Sequence, residues 1–498
     1  MDMLATPITL AAEALALGFT SLEEEIREGR ELAVRGTLPP DLQGTLYRIG
    51  PGRHDVYGER AVSWFDGDGM VHALTLEEGR VSYRNRFVET AGKAEEDRAQ
   101  RKLYGGFGSR TPGSAWRRLL RRGARKNPAN TNIVFHGGKL LALCEAGKPY
   151  RLDPVTLATV GEDDLGALAD GAYSAHPKLD PRTGEMWNFG TAYGRESTVS
   201  LYRTTAEGVT TKVTTLALPA PAMVHDFAIT ATRAIFVIAP IVLPRIPLGL
   251  VLGQRSFGES LHWRPELGVR IAVVDRASGE ARWVTTDPFM LFHTAHAWDE
   301  GDDVVVDLCA YPDGAIMRTI VDIMVGDTPT PARCYPERLR ITQSGVSRTR
   351  LSATPMEFPR VAGRAWGQSE QRIYGTSWSD GLEFIGKPVA IDVATGRAEE
   401  AAIGAGEYAG ECVPVAKAGA TSERDVWLLT LVLDGASRTS ELRILDGGDL
   451  AAPPVARVRL PHVVPFGFHG NWVSRARLAA PTSSSRVEGG EEKSGRPR

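Results

Sequence analysis

Four histidines stand in settings that suit metal chemistry: His176 in SAHPKLD, His225 in MVHDFAIT, His293 in LFHTAHAWDE and His469 in FGFHGNW. The stretch 291–309 shows the pattern best. It begins with aromatic-flanked His293, turns through Asp299, Glu300 and Gly301, and returns as an apolar run from Val304 to Leu308. Such a hairpin can hold a histidine at the inner end of a strand, facing the centre of a β structure. A single histidine is more often a packed or surface residue than a ligand. The four do not show a local HxxxH-type spacing. They lie near one, one and three blade lengths apart if a propeller blade takes roughly 40 to 70 residues. Ligands from different blades would then converge on a common axis.

The elements that must position them are short strands. TNIVFH, KLLALC, STVSLYR, VTTKVTTL, RAIFVI, VRIAVV, ARWVTT, DVVVDL, KPVAIDV, DVWLLTLVL, SELRIL and VARVRL follow one another with Gly, Pro, Asp and Asn turns between them. Amphipathic helical patterns are scarce. An all-β barrel, sandwich or propeller is expected. The length favours a propeller, because blades add radially without exposing long edges. No sharp repeat is visible, so the blade count does not follow from self-similarity.

The 498 residues are 42% hydrophobic and 24% charged, with a formal net charge of −3. This is ordinary globular composition, and no basic surface advertises nucleic-acid binding. Four scattered cysteines (Cys144, Cys309, Cys334, Cys412) without a CxxC argue against a disulfide framework or a cysteine zinc site. They point to a reducing compartment, the cytoplasm. The apolar N-terminus carries Asp2 and no early Lys or Arg, unlike a secretory signal. No apolar window is long enough to span a membrane.

Residues 1–34 read as a helical arm, with LEEEIREGREL as its solvated face. The strand-rich unit occupies 35–478, with a basic excursion from Ala94 to Asn127. The run 238–251, IAPIVLPRIPLGLV, has three prolines that forbid a continuous helix or central strand. It reads either as a core-packed loop or as an exposed apolar lip touching a membrane or admitting an apolar substrate. Residues 479–498, with PTSSSRVEGGEEKSGRPR, are expected to be a disordered tail.

The chain resembles the carotenoid cleavage oxygenases from about Leu38 to Trp472. Matching stretches are LPPDLQGTLYRIGPG, FDGDGMVHAL, ANTNIVFHGGKLLALCEAG, SAHPKLDP, VHDFAITATRAIF, FHTAHAWDE, MEFPRV, YAGECVPV, and SELRILD followed by FHGNW. The resemblance implies a seven-bladed β-propeller with Fe(II) on its axis and a loop and helical cap over one face. It implies His176, His225, His293 and His469 as iron ligands, with Glu145, Glu357 and Glu411 orienting them. Thr131 matches a family position whose methyl group crowds one open iron site. Neutral imidazoles suit Fe(II), and four of them leave octahedral positions for O2 and substrate. A glutamate accepting the distal ring N–H fixes tautomer and orientation.

Two departures bear on substrate. The family often has Asn three residues after the third ligand, where this chain has His296, which is expected to face elsewhere. Stilbene-cleaving members commonly place Lys before the first glutamate, where this chain has Cys144. A nearly neutral thiol cannot replace an ammonium as a phenolate partner. The expected activity is therefore Fe(II)-dependent oxidative cleavage of a conjugated C=C bond in a carotenoid or apocarotenoid, with O2 as co-substrate and carbonyl products. Stilbene or phenylpropanoid cleavage, a non-oxidative polyene isomerisation and a non-enzymatic scaffold remain as alternatives, with zinc as the competing metal. Expected partners are an apolar polyene and no nucleic acid, with peripheral membrane contact through 238–251; the chain is expected to be a monomer. Trp64, Phe65, Phe107 and 238–251 are candidate tunnel residues.

Overall fold

Strand patterning carries directly into the architecture. Arg80–Phe87 alternates exposed and covered positions as a half-buried strand should, whereas Asp303–Tyr311 is buried along almost its whole length. The computed structural model describes residues 7–121, 125–145, 147–168, 171–325, 331–363, 369, 371–379 and 384–480. Among these, seven antiparallel sheets of four to six strands form the blades of a propeller.

The strand at the axial edge of each blade matters most. These are β1 (Asn132–His136), β2 (Lys178–Leu179), β3 (Ala228–Ile229), β4 (Met290–Glu300), β5 (Glu357–Arg360), β6 (Glu407–Ala409) and β7 (Gly470–Ser474). The ring closes twice between the chain ends. β7 pairs with Gly44–Arg53, and Val34–Gly36 pairs with Ala456–Arg459. Closure joins the first and last blades and leaves the outermost strand of each blade as its edge. Facing sheets bury side chains such as Ile271, Val273, Leu308, Leu339, Ile373 and Ile391 between them, each at most 3% exposed. Full burial of one such side chain contributes about 1.5–3 kcal/mol.

The helical arm needs correction. Among its described residues only Pro7–Leu17 (α1) is helical; Ile26–Leu32 is the outermost strand of a blade, paired with Arg80–Phe87. The propeller sheets therefore begin at Ile26, before the expected boundary at 35. The charges of IREGREL suit an edge strand as well as a surface helix. Gly29, at φ 75°, sits where the register slips between Ile26 and Arg30, a bulge that bends this edge. At the other end Arg475–Ala479 is a short helix, and 481–498 lie outside the described residues.

A cap covers one face of the ring. It comprises α2 (Ala91–Ala99), α3 (Ala115–Leu120), α4 (Leu248–Val251) and α5 (Ile316–Val325), together with their loops. The 238–251 run is both core and lip. Ile241, Val242 and Leu243 are buried, the first two as a short strand against His262–Trp263, whereas Ile246 and Leu248 are 80% and 61% exposed. No helix among the described residues is long and apolar enough to cross a membrane.

Candidate metal centre

Every blade delivers a residue to the axis in or beside its inner strand. Thr131 precedes β1, His176 and His225 precede β2 and β3, His293 lies in β4, Glu357 opens β5, Glu411 follows β6 and His469 precedes β7. The pairing is irregular at several of these points. One register slip spans His293 in β4 and a second follows Thr294, and another follows Glu357 in β5. Glu411 occupies the break between two strands, Glu407–Ala409 and Val413–Ala416, that both pair with Val426–Asp434. Such bulges re-aim side chains next to functional sites.

The four histidine rings cluster. Centroids are 4.2 Å apart for His176–His225, 5.2 Å for His176–His293 and His225–His293, and 4.9 Å from His469 to both His176 and His293. One ring nitrogen each from His176, His225 and His293 lies within 4.8 Å of the other two. His176 Nε2 and His293 Nε2 are buried without a hydrogen-bond partner. Buried polar atoms left unpaired are costly, and a shared metal ion would satisfy both. Burial pushes His176 down to about 4, which keeps it the neutral donor a metal requires.

Carboxylates hold the rings from behind. His293 Nδ1 donates to Glu357 Oε2 at 2.6 Å, and His469 Nδ1 donates to Glu411 Oε1 at 2.9 Å. Both bonds leave Nε2 as the free nitrogen. Glu145 Oε1 lies 2.9 Å from His225 Nδ1 and 3.5 Å from His176 Nε2, without hydrogen-bond alignment to either. Burial opposes charge on all three glutamates, yet their partners keep them ionised. His225 and His176 hold Glu145 well below the usual range, His293 lowers Glu357, and Arg360 with His469 and Arg48 holds Glu411 well below it.

Several partners were not singled out from sequence. Arg48 and Arg360 clamp Glu411 at 2.5 Å and 2.9 Å. The Tyr311 hydroxyl donates to Glu357 Oε1 at 3.2 Å, and the Phe358 N–H to Oε2 at 2.5 Å. Phe358 adopts φ 52°, a strained conformation for an aromatic residue, and its ring lies 5.2 Å from both His293 and His469. Arg48, Arg360 and Phe358 lie inside stretches that carried the resemblance, so proximity to a site motif was the available signal. Thr131 is buried, with its hydroxyl donating to Asn130 Oδ1 at 3.0 Å. His296 is stacked on Trp298 and is not one of the clustered ligand atoms.

Above the rings opens a cavity of about 610 Å³ whose lining includes Trp64, Phe65, Phe107, Phe292 and Phe358 beside His225, His293 and His469. Thr131, Cys144 and Glu145 also line it, as do Leu243 to Pro247 of the lip. A long apolar molecule could thus reach the rings from the cap.

Comparison with known proteins agrees with this geometry. The family model described as RPE65, retinal pigment epithelial membrane protein, matches residues 19–474. The apocarotenoid-15,15'-oxygenase of Synechocystis sp. is 34% identical over 458 residues, 88% of this chain and 92% of its own. Resveratrol cleavage oxygenase 1 of Aspergillus fumigatus is 31% identical over 481 residues, 91% of this chain and 94% of its own. The solved structure of cobalt-substituted Synechocystis ACO matches with a TM-score of 0.87 at 32% identity, covering 93% of this chain and 99% of that one. This protein therefore belongs to the RPE65 family, the carotenoid cleavage oxygenases.

Proposed function

We propose that this protein is a dioxygenase that cleaves a conjugated C=C bond of an apocarotenoid into two carbonyl products, with Fe(II) held by His176, His225, His293 and His469. The observation that carries this reading is the pair of buried, unpartnered nitrogens, His176 Nε2 and His293 Nε2, beneath a large aromatic cavity. When bound, Fe(II) supplies the activation of O2 beside the polyene.

The chain's residues do the rest. Glu357 and Glu411 orient His293 and His469, and Glu145 stands behind His225. Trp64, Phe65 and Phe292 exclude water and align an extended polyene, so that one double bond is presented to the centre. Thr131, its hydroxyl engaged by Asn130, lines the cavity, where its methyl group would narrow the approach to a bound ion. The apocarotenoid oxygenase of Synechocystis supports the substrate class. The resveratrol-cleaving relative keeps a stilbene as the second reading, but Cys144 rather than a lysine lines the cavity beside Glu145.

Anaerobic purification with metal analysis, followed by oxygen uptake on a panel of apocarotenals and a hydroxystilbene, tests the proposal. Near-stoichiometric iron and uptake on an apocarotenal are expected. Uptake only on the stilbene would move the substrate to the second reading. A loaded enzyme that isomerises a polyene without consuming oxygen would replace the oxidative reading.

We further propose a monomer in the cytoplasm with peripheral membrane contact. Exposed Ile246, Leu248 and Val251 on the lip and Trp116 and Leu120 on α3 form apolar tips among Arg117, Arg118 and Arg245. Substituting Ile246, Leu248 and Val251 together with Ser is expected to abolish co-sedimentation with liposomes. Unchanged sedimentation would remove the lip from this role.

A further inference from the structure

Each of the three histidines whose ring nitrogens converge, His176, His225 and His293, is followed closely by a polar residue, and the fold brings these polar residues together. Lys178 lies two positions after His176, Asp226 one after His225 and Thr294 one after His293. The Asp226 side chain is 1% exposed and accepts from all three blades. Its Oδ2 receives the Thr294 N–H at 2.7 Å, the Thr294 hydroxyl at 2.8 Å and Lys178 Nζ at 3.1 Å. Its Oδ1 receives the Phe227 N–H at 2.8 Å and meets Lys178 Nζ at 2.8 Å. The Thr294 hydroxyl also lies 2.9 Å from the Phe227 carbonyl.

This carboxylate differs from the three glutamates. Glu357 and Glu411 grip imidazole rings, whereas Asp226 grips the backbone beside two ligand-bearing residues and a side chain from a third blade. Its charge is matched by Lys178, so the pair adds little net charge to the centre. What it adds is distance: the backbone N–H groups of Phe227 and Thr294, just after His225 and His293, are both bonded to one rigid group, and the segment after His176 is tied to it.

We propose that Asp226 is the positioning residue of the histidine face, setting the spacing of His176, His225 and His293 through Lys178 and Thr294 and so setting how tightly the face binds its metal. This rests on the reading of those histidines as ligands. Removing partners that orient metal ligands typically costs 10–100-fold in metal affinity. Asp226→Asn offers an amide where three donors converge, and Asp226→Glu keeps the charge but displaces the oxygens by one methylene. Thr294→Val removes only the hydroxyl and leaves the backbone N–H bond intact. Thr294→Ser restores the hydroxyl.

The test is Co(II) binding to apoprotein by chelator competition, with the Co(II) absorption spectrum and the apoprotein Tm measured on the same samples. Asp226→Asn and Asp226→Glu are expected to bind Co(II) about 10–100-fold more weakly, with an altered spectrum. Thr294→Val should shift both in the same direction by less, and Thr294→Ser should return both to the parent values. Where the Asp226 variants fail to fold, the Thr294 pair decides. A purely structural staple would lower the apoprotein Tm and leave Co(II) affinity and spectrum unchanged in the folded variants, and that result overturns the proposal. Parent protein that binds no Co(II) would overturn both this proposal and the ligand reading beneath it. Tight binding by the parent with unaffected variants overturns this one alone.

Discussion

Glu357 is held by three donors, from His293, Tyr311 and its neighbour's backbone, and this crowding makes its substitution informative. Burial works against a charged His293, but the Glu357 carboxylate outweighs it and lifts the imidazole above its ordinary value. Glu357→Gln would place an amide NH2 among these donors, so at least one contact becomes donor against donor. Iron affinity measured by chelator competition is expected to fall about 10–100-fold. Tyr311→Phe removes one donor and leaves the His293 bond, so a loss of less than about tenfold is expected. Equal losses in the two variants would show that the ring contact is not what the carboxylate contributes. The resemblance named Glu357 and Glu411 as orienting residues but not the partners that hold them, for a simple reason: Arg48 and Glu411 touch although 363 residues separate them.

At the scale of elements, the approach of the last histidine depends on two glycines. A Cβ on Gly50, in the strand Gly44–Arg53, would come within 2.3 Å of Gly467 Cα. The Phe468 N–H donates to the Ile49 carbonyl at 3.0 Å, and the Ile49 N–H donates to the His469 carbonyl at 3.0 Å. Displacing Gly467 therefore displaces the segment carrying His469. Gly50→Ala is expected to lower stability by about 1–3 kcal/mol, as overpacking does, and also to lower metal content. Denaturant unfolding and metal analysis of the same preparation check both halves. Intact metal content in a destabilised variant would separate backbone packing from ligand placement. The glycines of RIGPG and FGFHG are visible in the chain, but their face-to-face contact arises only when the ring closes.

For the whole molecule, buried histidines away from the metal centre predict how stability varies with pH. Burial pushes His54 down to about 4, with Arg60 also opposing its charge and Asp55 favouring it; both ring nitrogens lack partners. Burial likewise takes His72 to about 3, with His462 and Arg48 adding to the effect, although Nδ1 bonds the Tyr83 hydroxyl. The folded protein keeps both neutral, while the unfolded chain protonates them below about 6.5. The unfolded state therefore binds more protons in this window. Their contribution is complete above pH 6.5 and is lost as pH falls towards 4 for His54 and 3 for His72. His54→Phe, which removes one of these protons, is expected to show a shallower fall in Tm between pH 6.5 and 4. An unaltered slope would mean that His54 is protonated in the folded state.

What the amino-acid order determined by itself was local and periodic. Alternating apolar strands with Gly, Pro and Asp turns dictate an all-β fold, because those patterns bury one face only when sheets stack, and the length favours a propeller. The four histidines were readable as a set through the family resemblance that their surrounding motifs carry. The tertiary structure alone decided how they meet. It drew Ile26–Leu32 into an edge strand, since a charged segment with few apolar anchors takes its conformation from the neighbouring strand's free hydrogen bonds. It divided 238–251 into buried Ile241–Leu243 and exposed Ile246 and Leu248, because exposure depends on what packs alongside. It also joined Arg48, Arg360 and Glu411, and Lys178, Asp226 and Thr294, across blades. Such contacts are set by ring closure, and no local pattern encodes a neighbour hundreds of residues away.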